Sequence, residues 1–332
     1  MIQIALVGTG NVATSSYLPY LSKQEGVALS FYNRTRAKAE AAASRFGGSV
    51  AGSLRELVEA GPDAVLVLTR ETDRYEAALA LLELRPKRLF FEKPLVAMRG
   101  QANVEEADFV KGREVLQRAR AAGVETAMVF NYRFFDQTLK ASQIVAARSW
   151  GQATNVSALV HYACWSHCID LVLCFAGAVS KVTALASHQE RGWTGQGGAR
   201  DIAAAFRTEA DATGTIIGTN GLDFKLPLFE LTLAFERGRL HMRDLDGDLE
   251  VLDYSTRQHE VYQVSRDSSR WDHYNASFAR SLEGYLGSIR AGGPPPIPGI
   301  AGLRELQFEA GLKRSAAEGR PVVLAEEFPL DL

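Results

Sequence analysis

Ile2-Gln3-Ile4-Ala5-Leu6-Val7-Gly8-Thr9-Gly10-Asn11-Val12-Ala13 is an apolar, strand-like run that leads into a GxGxxA turn and the start of a helix. In such a turn Gly8 permits the tight reversal, Gly10 lets a pyrophosphate come close to the backbone, and Ala13 lets the helix pack against the strand. The free N–H groups and partial positive charge at the helix start suit phosphate. Gly8, Thr9, Gly10, Asn11 and Val12 are therefore candidate dinucleotide-binding residues.

Outward from this turn, residues 27–32, 64–68, 88–91 and 126–130 read as further strands, separated by helical segments at 36–46, 53–59, 75–84 and 109–121. Strands alternating with helices imply βαβ units and a parallel sheet covered on both faces. After residue 130 the pattern changes. Residues 153–161, 181–188, 201–208, 213–219, 228–236, 239–244 and 250–254 are strand-like and mostly follow one another without helices. This predicts a large, mainly antiparallel open sheet. Helices are expected at 166–175, 273–291 and 303–318, a flexible glycine-rich loop at 192–198, and a stiff surface connection through the prolines of 292–299. The expected fold class is α/β, with a Rossmann doubly wound parallel sheet over 1–130 and a substrate-binding and oligomerisation domain over 131–332, whose last helix packs back on the first.

A length of 332 residues suits about two domains. The formal net charge of −2 offers no electrostatic reason to expect nucleic acid or an anionic membrane as partner. The chain enters its first strand without a basic leader, and no apolar run approaches the ~20 residues of a membrane helix. Cys164, Cys168 and Cys174 are an odd number in one short segment, which fits a reducing compartment. A cytoplasmic protein is expected.

The end of the second strand bears on the cofactor. NAD-binding folds usually place an acid there for the ribose 2′-hydroxyl. This chain has Asn33-Arg34-Thr35 instead. Arg34 could grip a 2′-phosphate in forked geometry while Asn33 and Thr35 donate further hydrogen bonds. NADP(H) is expected in preference to NAD(H).

Glu92-Lys93-Pro94-Leu95 after the fifth strand, Asn131-Tyr132-Arg133-Phe134 after the sixth, Trp150-Gly151-Gln152-Ala153, His167-Cys168-Ile169-Asp170-Leu171, and Ser315 to Val322 near the end together resemble the Gfo/Idh/MocA family of glucose–fructose oxidoreductase and inositol dehydrogenase relatives. The resemblance implies hydride transfer between nicotinamide and a carbinol or carbonyl carbon of a sugar, cyclitol or similar small polar molecule, and a homodimer or homotetramer. It puts Lys93 at the family's lysine and His167 at its catalytic histidine. Asp170 falls on the family's acid, Thr69 at the cofactor loop, and Glu92 near the nicotinamide or as an anchor of the loop.

That chemistry needs a base for the hydroxyl proton and positive charge for the developing alkoxide. His167 is the natural base. Lys93, at the rim where open α/β sheets bind ligands, is placed to orient the hydroxyl and relay the proton. Asp170, three residues along the helix from His167, is expected to orient the imidazole or hold a substrate hydroxyl. Arg133, Tyr132, Trp165, Tyr162 and His161 complete the expected substrate site.

Two departures from the family pattern stand out. Ala163 and Trp165 replace an acid and a glycine ahead of His167, so the indole is expected to narrow the pocket. Arg70 and Arg74 replace a proline and a histidine and are expected to form surface ion pairs with Glu71 and Asp73 or to meet a substrate anion. His161, Cys164, His167 and Cys168 have ligand-like spacing, but they cross a strand–helix junction and nicotinamide chemistry needs no metal, so none is expected. Transient oxidation by tightly bound cofactor for elimination or epimerisation, imine or enone reduction, and a dinucleotide-sensing regulator are the alternative functions.

Overall fold

The computed structural model describes residues 1–193, 196–244, 246–265 and 267–332. The first half is a six-stranded parallel sheet of β1 (Ile2–Val7), β2 (Val27–Tyr32), β3 (Ser49–Val50), β4 (Ala64–Val67), β5 (Arg88–Glu92) and β6 (Glu125–Val129). The spatial order is β3-β2-β1-β4-β5-β6. Chain direction across the sheet reverses between β1 and β4, so a crevice opens above their carboxyl ends. β4 is buried at every position, as a strand covered on both faces must be. Around the sheet lie α1 (Leu18–Leu21), α2 (Arg36–Phe46), α3 (Leu54–Glu59), α4 (Arg74–Leu82) and α5 (Glu106–Ala121). A π-type stretch, Ala13–Tyr17, precedes α1 and widens the helix that follows the glycine turn.

The second half contains α6 (Asp136–Ala147), α7 (Trp165–Ala176), α8 (Arg270–Ala291), α9 (Ile300–Glu318) and α10 (Leu324–Glu327). Its strands are β7 (Ala153–His161), β8 (Val179–Trp193), β9 (Gln196–Thr208), β10 (Thr213–Thr219), β11 (Phe229–Phe235), β12 (Gly238–Arg243), β13 (Leu249–Asp253), β14 (Gln258–Tyr262) and β15 (Val322–Val323). They form one nine-stranded sheet, β14-β13-β12-β11-β7-β10-β9-β8-β15. Among its pairings β7 with β10 is parallel and the rest are antiparallel. Alternate residues of β10 and β11 are buried, so one face of the sheet packs on the helices and the other is open.

One expectation from the sequence is corrected here. The loop expected at 192–198 is largely strand: β8 runs on to Trp193 and β9 begins at Gln196, while 194 and 195 lie outside the described residues. A register shift between Arg191 and Trp193 accommodates the glycines, and another follows Ala186. The proline-rich stretch, expected as a stiff surface connection, is also tied to the first sheet. Ile297 accepts from the Met128 amide at 3.1 Å and the Gly299 amide donates to Thr126 at 2.9 Å, which extends the first sheet beyond β6.

Helices α8 and α9 interlock the halves. Phe278, Leu282, Tyr285 and Leu286 of α8 share one core with Ile4, Leu6, Leu66 and Phe90 of the parallel sheet. Leu303 and Leu306 of α9 pack against Gly112 of α5. Among the described residues no helix is long and apolar enough to cross a membrane.

Candidate active site

The glycine turn lies over the end of β4. Gly8 has φ +98°, and a Cβ there would stand 2.8 Å from the Leu68 carbonyl and the Thr69 amide, so only glycine fits. Gly10 faces open space, as a residue over which a phosphate must pass should. Thr9 Oγ1 and Thr69 Oγ1, on the two sides of this crevice, are buried without a hydrogen-bond partner among the described residues. Open space above Gly10 and two orphaned hydroxyls fit a bound dinucleotide.

Asn33 belongs to the turn rather than to the rim. Its Oδ1 accepts from the Thr9 amide at 3.2 Å and its Nδ2 donates to the Thr35 carbonyl at 3.0 Å. The Arg34 side chain is 88% exposed, with Asp73 at 3.9 Å. Among described groups it has no other ion pair.

The loop after β5 is held from beneath. Arg74 is 3% exposed and donates to the carbonyls of Glu92, Pro94 and, at 2.8 Å, Thr69. The surface ion pairs expected of Arg74 are therefore corrected: its fork is consumed by three backbone oxygens at the carboxyl ends of β4 and β5. Glu92 is buried beside it, accepting from Tyr17 Oη at 2.9 Å and from the Lys93 amide at 2.7 Å. Burial pushes the Glu92 carboxyl up, against the pull of Lys93 and Arg74. Glu92 is thus an anchor of the loop, the second of the two roles expected for it. Lys93 stands beyond the anchor and donates from Nζ to Gln101 Oε1 at 2.8 Å.

Lys93 and His167 line the same cavity, about 120 Å³, between the parallel sheet and the second domain. His167 is buried on α7, stacked on Tyr132 at 3.9 Å with the rings 2° from parallel. Its pKa is held well below the ordinary imidazole value by burial and then by the charge of Lys93. The imidazole is therefore neutral near pH 7. Larger hollows near Cys174, about 420 Å³, and Tyr262, about 660 Å³, lie in the second domain around α6, away from the rim of the parallel sheet.

Several expected substrate ligands turn away from the cavity. Asp170 is wholly buried and takes a two-pronged hydrogen bond from Arg133, Nε to Oδ2 at 2.7 Å and Nη2 to Oδ1 at 2.6 Å. This pair clamps α7 to the turn Asn131–Phe134, and His167 Nδ1 is left without a partner. Asp170 therefore does not orient the imidazole: Arg133, not His167, satisfies the carboxylate. Trp165 points inward, its Nε1 donating to Glu309 Oε2 of α9 at 2.9 Å. It does not narrow the pocket, because Gly218 of β10 leaves room for its ring beneath the sheet. Tyr162 Oη donates to the Arg200 carbonyl at 2.6 Å, and His161 Nδ1 accepts from the Ala163 amide at 3.0 Å, so both serve the strand–helix junction. Tyr132 lines the cavity, with its hydroxyl 3.2 Å from Cys164 Sγ. No group of three or more His, Cys, Asp or Glu among the described residues is arranged to hold a metal.

The remaining wall comes from residues that sequence reasoning missed: Phe224 and Leu228 before β11, and Arg270, Trp271 and Tyr274 on α8. The capping box of Ser269 and Asp272 starts α8 three residues earlier than expected, and its S-x-x-D spacing was legible.

Residues 2–129 match the profile described as "Oxidoreductase family, NAD-binding Rossmann fold" of the Gfo/Idh/MocA oxidoreductases. No curated protein matches the chain by sequence. Among solved structures, an NAD-binding oxidoreductase from Klebsiella pneumoniae superposes with TM-score 0.79 at 17% identity, covering 97% of this chain and 99% of the other. The WlbA dehydrogenase from Bordetella pertussis, in complex with NADH and UDP-GlcNAcA, gives 0.74 at 18% identity over 97% of both chains. A super-repressor mutant of Gal80p from Saccharomyces cerevisiae gives 0.79 at 12% over 98% of both, so the fold serves regulation as well as dehydrogenation. The first domain of this chain thus matches, over residues 2–129, the NAD-binding Rossmann fold of the Gfo/Idh/MocA oxidoreductases.

Proposed function

We propose that this chain is a cytoplasmic NAD(P)-dependent dehydrogenase or reductase of the CH–OH type. Residues 1–130 bind the dinucleotide and 131–332 bind the substrate, for which the family resemblance implies a small polar molecule such as a sugar or cyclitol. The observation that carries this reading is that a neutral buried imidazole, His167, and an ammonium, Lys93, line one cavity at the carboxyl rim of the parallel sheet. The nicotinamide, when bound, accepts or supplies the hydride. His167 takes the hydroxyl proton during oxidation and returns it during reduction. Lys93 stabilises the negative charge that grows on the oxygen. Tyr132, stacked on His167, holds the ring plane, and the buried salt link of Arg133 with Asp170 fixes the helix that carries it.

The NADP(H) preference rests on Arg34, whose guanidinium is 88% exposed beyond the end of β2, where Asn33-Arg34-Thr35 carries no acid and Asp73 stands 3.9 Å away. A homodimer or homotetramer is supported by the open face of the second sheet. Leu185, Ala203 and Ile217 form one row across β8, β9 and β10 there, with Leu185 and Ile217 exposed. Lys93→Ala and His167→Ala should each lower kcat/KM by ~10²-fold or more, followed at 340 nm, while cofactor binding persists. Near-normal turnover in both variants would refute the assignment.

A further inference from the structure

The cavity is lined mainly by apolar surface. Tyr132, Phe224, Trp271 and Tyr274 supply rings, and Ala163 and Leu228 supply aliphatic carbon. The polar groups among these walls are largely spent on the protein itself. Tyr132 Oη is paired with Cys164. Arg270 faces Asp244 at 3.1 Å and Asp246 at 3.3 Å, and donates at 3.4 Å to the carbonyls of both Phe224 and Leu226. No carboxylate lines the cavity, and the acid that the family pattern places before the histidine is Ala163. Lys93, His167 and the Tyr274 hydroxyl are left to meet a substrate. A polyol needs several acceptors and donors around its ring, and each hydroxyl buried without a partner weakens binding about tenfold or more. The size is also restrictive. At about 120 Å³ the cavity is smaller than the ~150 Å³ that accommodates benzene, so its inner end takes only part of a six-membered ring.

Resting on the oxidoreductase reading above, we propose that the substrate presents an apolar or aromatic ring, bearing one reacting hydroxyl or carbonyl, to the box formed by Tyr132, Phe224, Trp271 and Tyr274. A polyhydroxylated ring is a poor substrate for this site, which sets it apart from the sugar or cyclitol that the family resemblance implies. The single oxygen meets Lys93 and His167, and the rest of the ring lies against carbon.

The test is a matched pair of six-carbon rings, cyclohexanol and myo-inositol. Binding to the cofactor-loaded protein is measured by calorimetry, and turnover is followed at 340 nm. Cyclohexanol should bind at least ~10²-fold more tightly than inositol. Ala163→Asp, which restores an acceptor to the wall, should narrow that ratio by at least tenfold. Ala163→Ser, a smaller change, should move it the same way if the aspartate variant fails to fold. Equal or tighter binding of inositol, or no binding of cyclohexanol, overturns the proposal. Selective cyclohexanol binding with turnover unaffected by loss of both Lys93 and His167 would leave the substrate class standing and remove the assigned proton chemistry instead.

Discussion

Arg74 is the residue whose replacement should reveal most about how this site is held. Its guanidinium sits at 3% exposure with Glu92 beside it, and its donors reach three main-chain oxygens: Thr69 at the end of β4, and Glu92 and Pro94 on either side of Lys93. A hydrogen bond from a charged group contributes about 1.5–3 kcal/mol, so three nominally exceed ~4.5 kcal/mol. Part of that is offset, because an apolar replacement no longer has to be stripped of water. The buried Glu92 carboxyl also loses one of the neighbouring charges that draw its pKa down. Arg74→Met should therefore lower unfolding free energy by about 3–5 kcal/mol. Arg74→Lys, which keeps the charge but cannot span three carbonyls, should lose about 1.5–3 kcal/mol. Urea titration monitored by circular dichroism measures both. Adding Glu92→Gln to Arg74→Met should recover part of the loss, with a coupling of about 0.5–3 kcal/mol. Because the same carbonyls frame the lysine turn, kcat/KM of Arg74→Met should fall tenfold or more, by about the effect of misplacing a reacting group, at temperatures where it stays folded. A Met variant within ~1 kcal/mol of the parent would refute the idea that this guanidinium organises the loop.

Three further outcomes are expected. Arg34→Ala should weaken NADP(H) binding by about tenfold or more and leave NAD(H) nearly unchanged, measured by fluorescence titration; unchanged NADP affinity ends the 2′-phosphate role. Glu260, hydrogen-bonded by both Arg148 and Tyr262, has its pKa drawn down to about 2. Its stabilisation is fully present above the unfolded carboxylate value near ~4.5 and is lost as pH falls toward 2, so the melting-temperature gap between the parent and Glu260→Gln should close over that window. Glu305 and Glu309, one turn apart on α9, show the opposite sign. Both oxygens of Glu305 and Oε1 of Glu309 lack donors, and burial, with Glu309 as neighbour, pushes the Glu305 carboxyl well up. A proton on Glu305 satisfies the pair, and stability present below ~4.5 declines as pH rises toward the raised value. Glu305→Gln, neutral at every pH, should gain on the parent as pH increases in thermal melts, and a constant difference would contradict a shared proton.

The sequence made legible what depends on local pattern. The glycine turn after β1, the strand–helix alternation to β6 and the change to consecutive strands after residue 130 all follow from spacing within a few residues. Lys93 and His167 were readable because short motifs carry them, and the structure places them on one cavity. What escaped depends on partners far along the chain. Arg74 looked like a loop arginine because its acceptors at Glu92 and Pro94 lie 18 and 20 residues away. Trp165 looked like a pocket wall because the acid that draws its indole inward, Glu309, is 144 residues distant. Asp170 looked like a substrate ligand because nothing local indicates that Arg133 claims both of its oxygens. Helical spacing sets the face of a side chain but not the neighbour waiting there.

The interlocking of α8 with the cofactor sheet also has a consequence for biosynthesis. A ribosome delivers β1 to β6 first, yet the core around Ile4, Leu6 and Phe90 is completed by Phe278, Leu282 and Tyr285, and Asn131 finds the Ser277 hydroxyl at 2.8 Å only when that late segment emerges. During translation the nascent dinucleotide half must wait with an apolar flank open to water. A fragment ending near residue 130 lacks the surface that completes it.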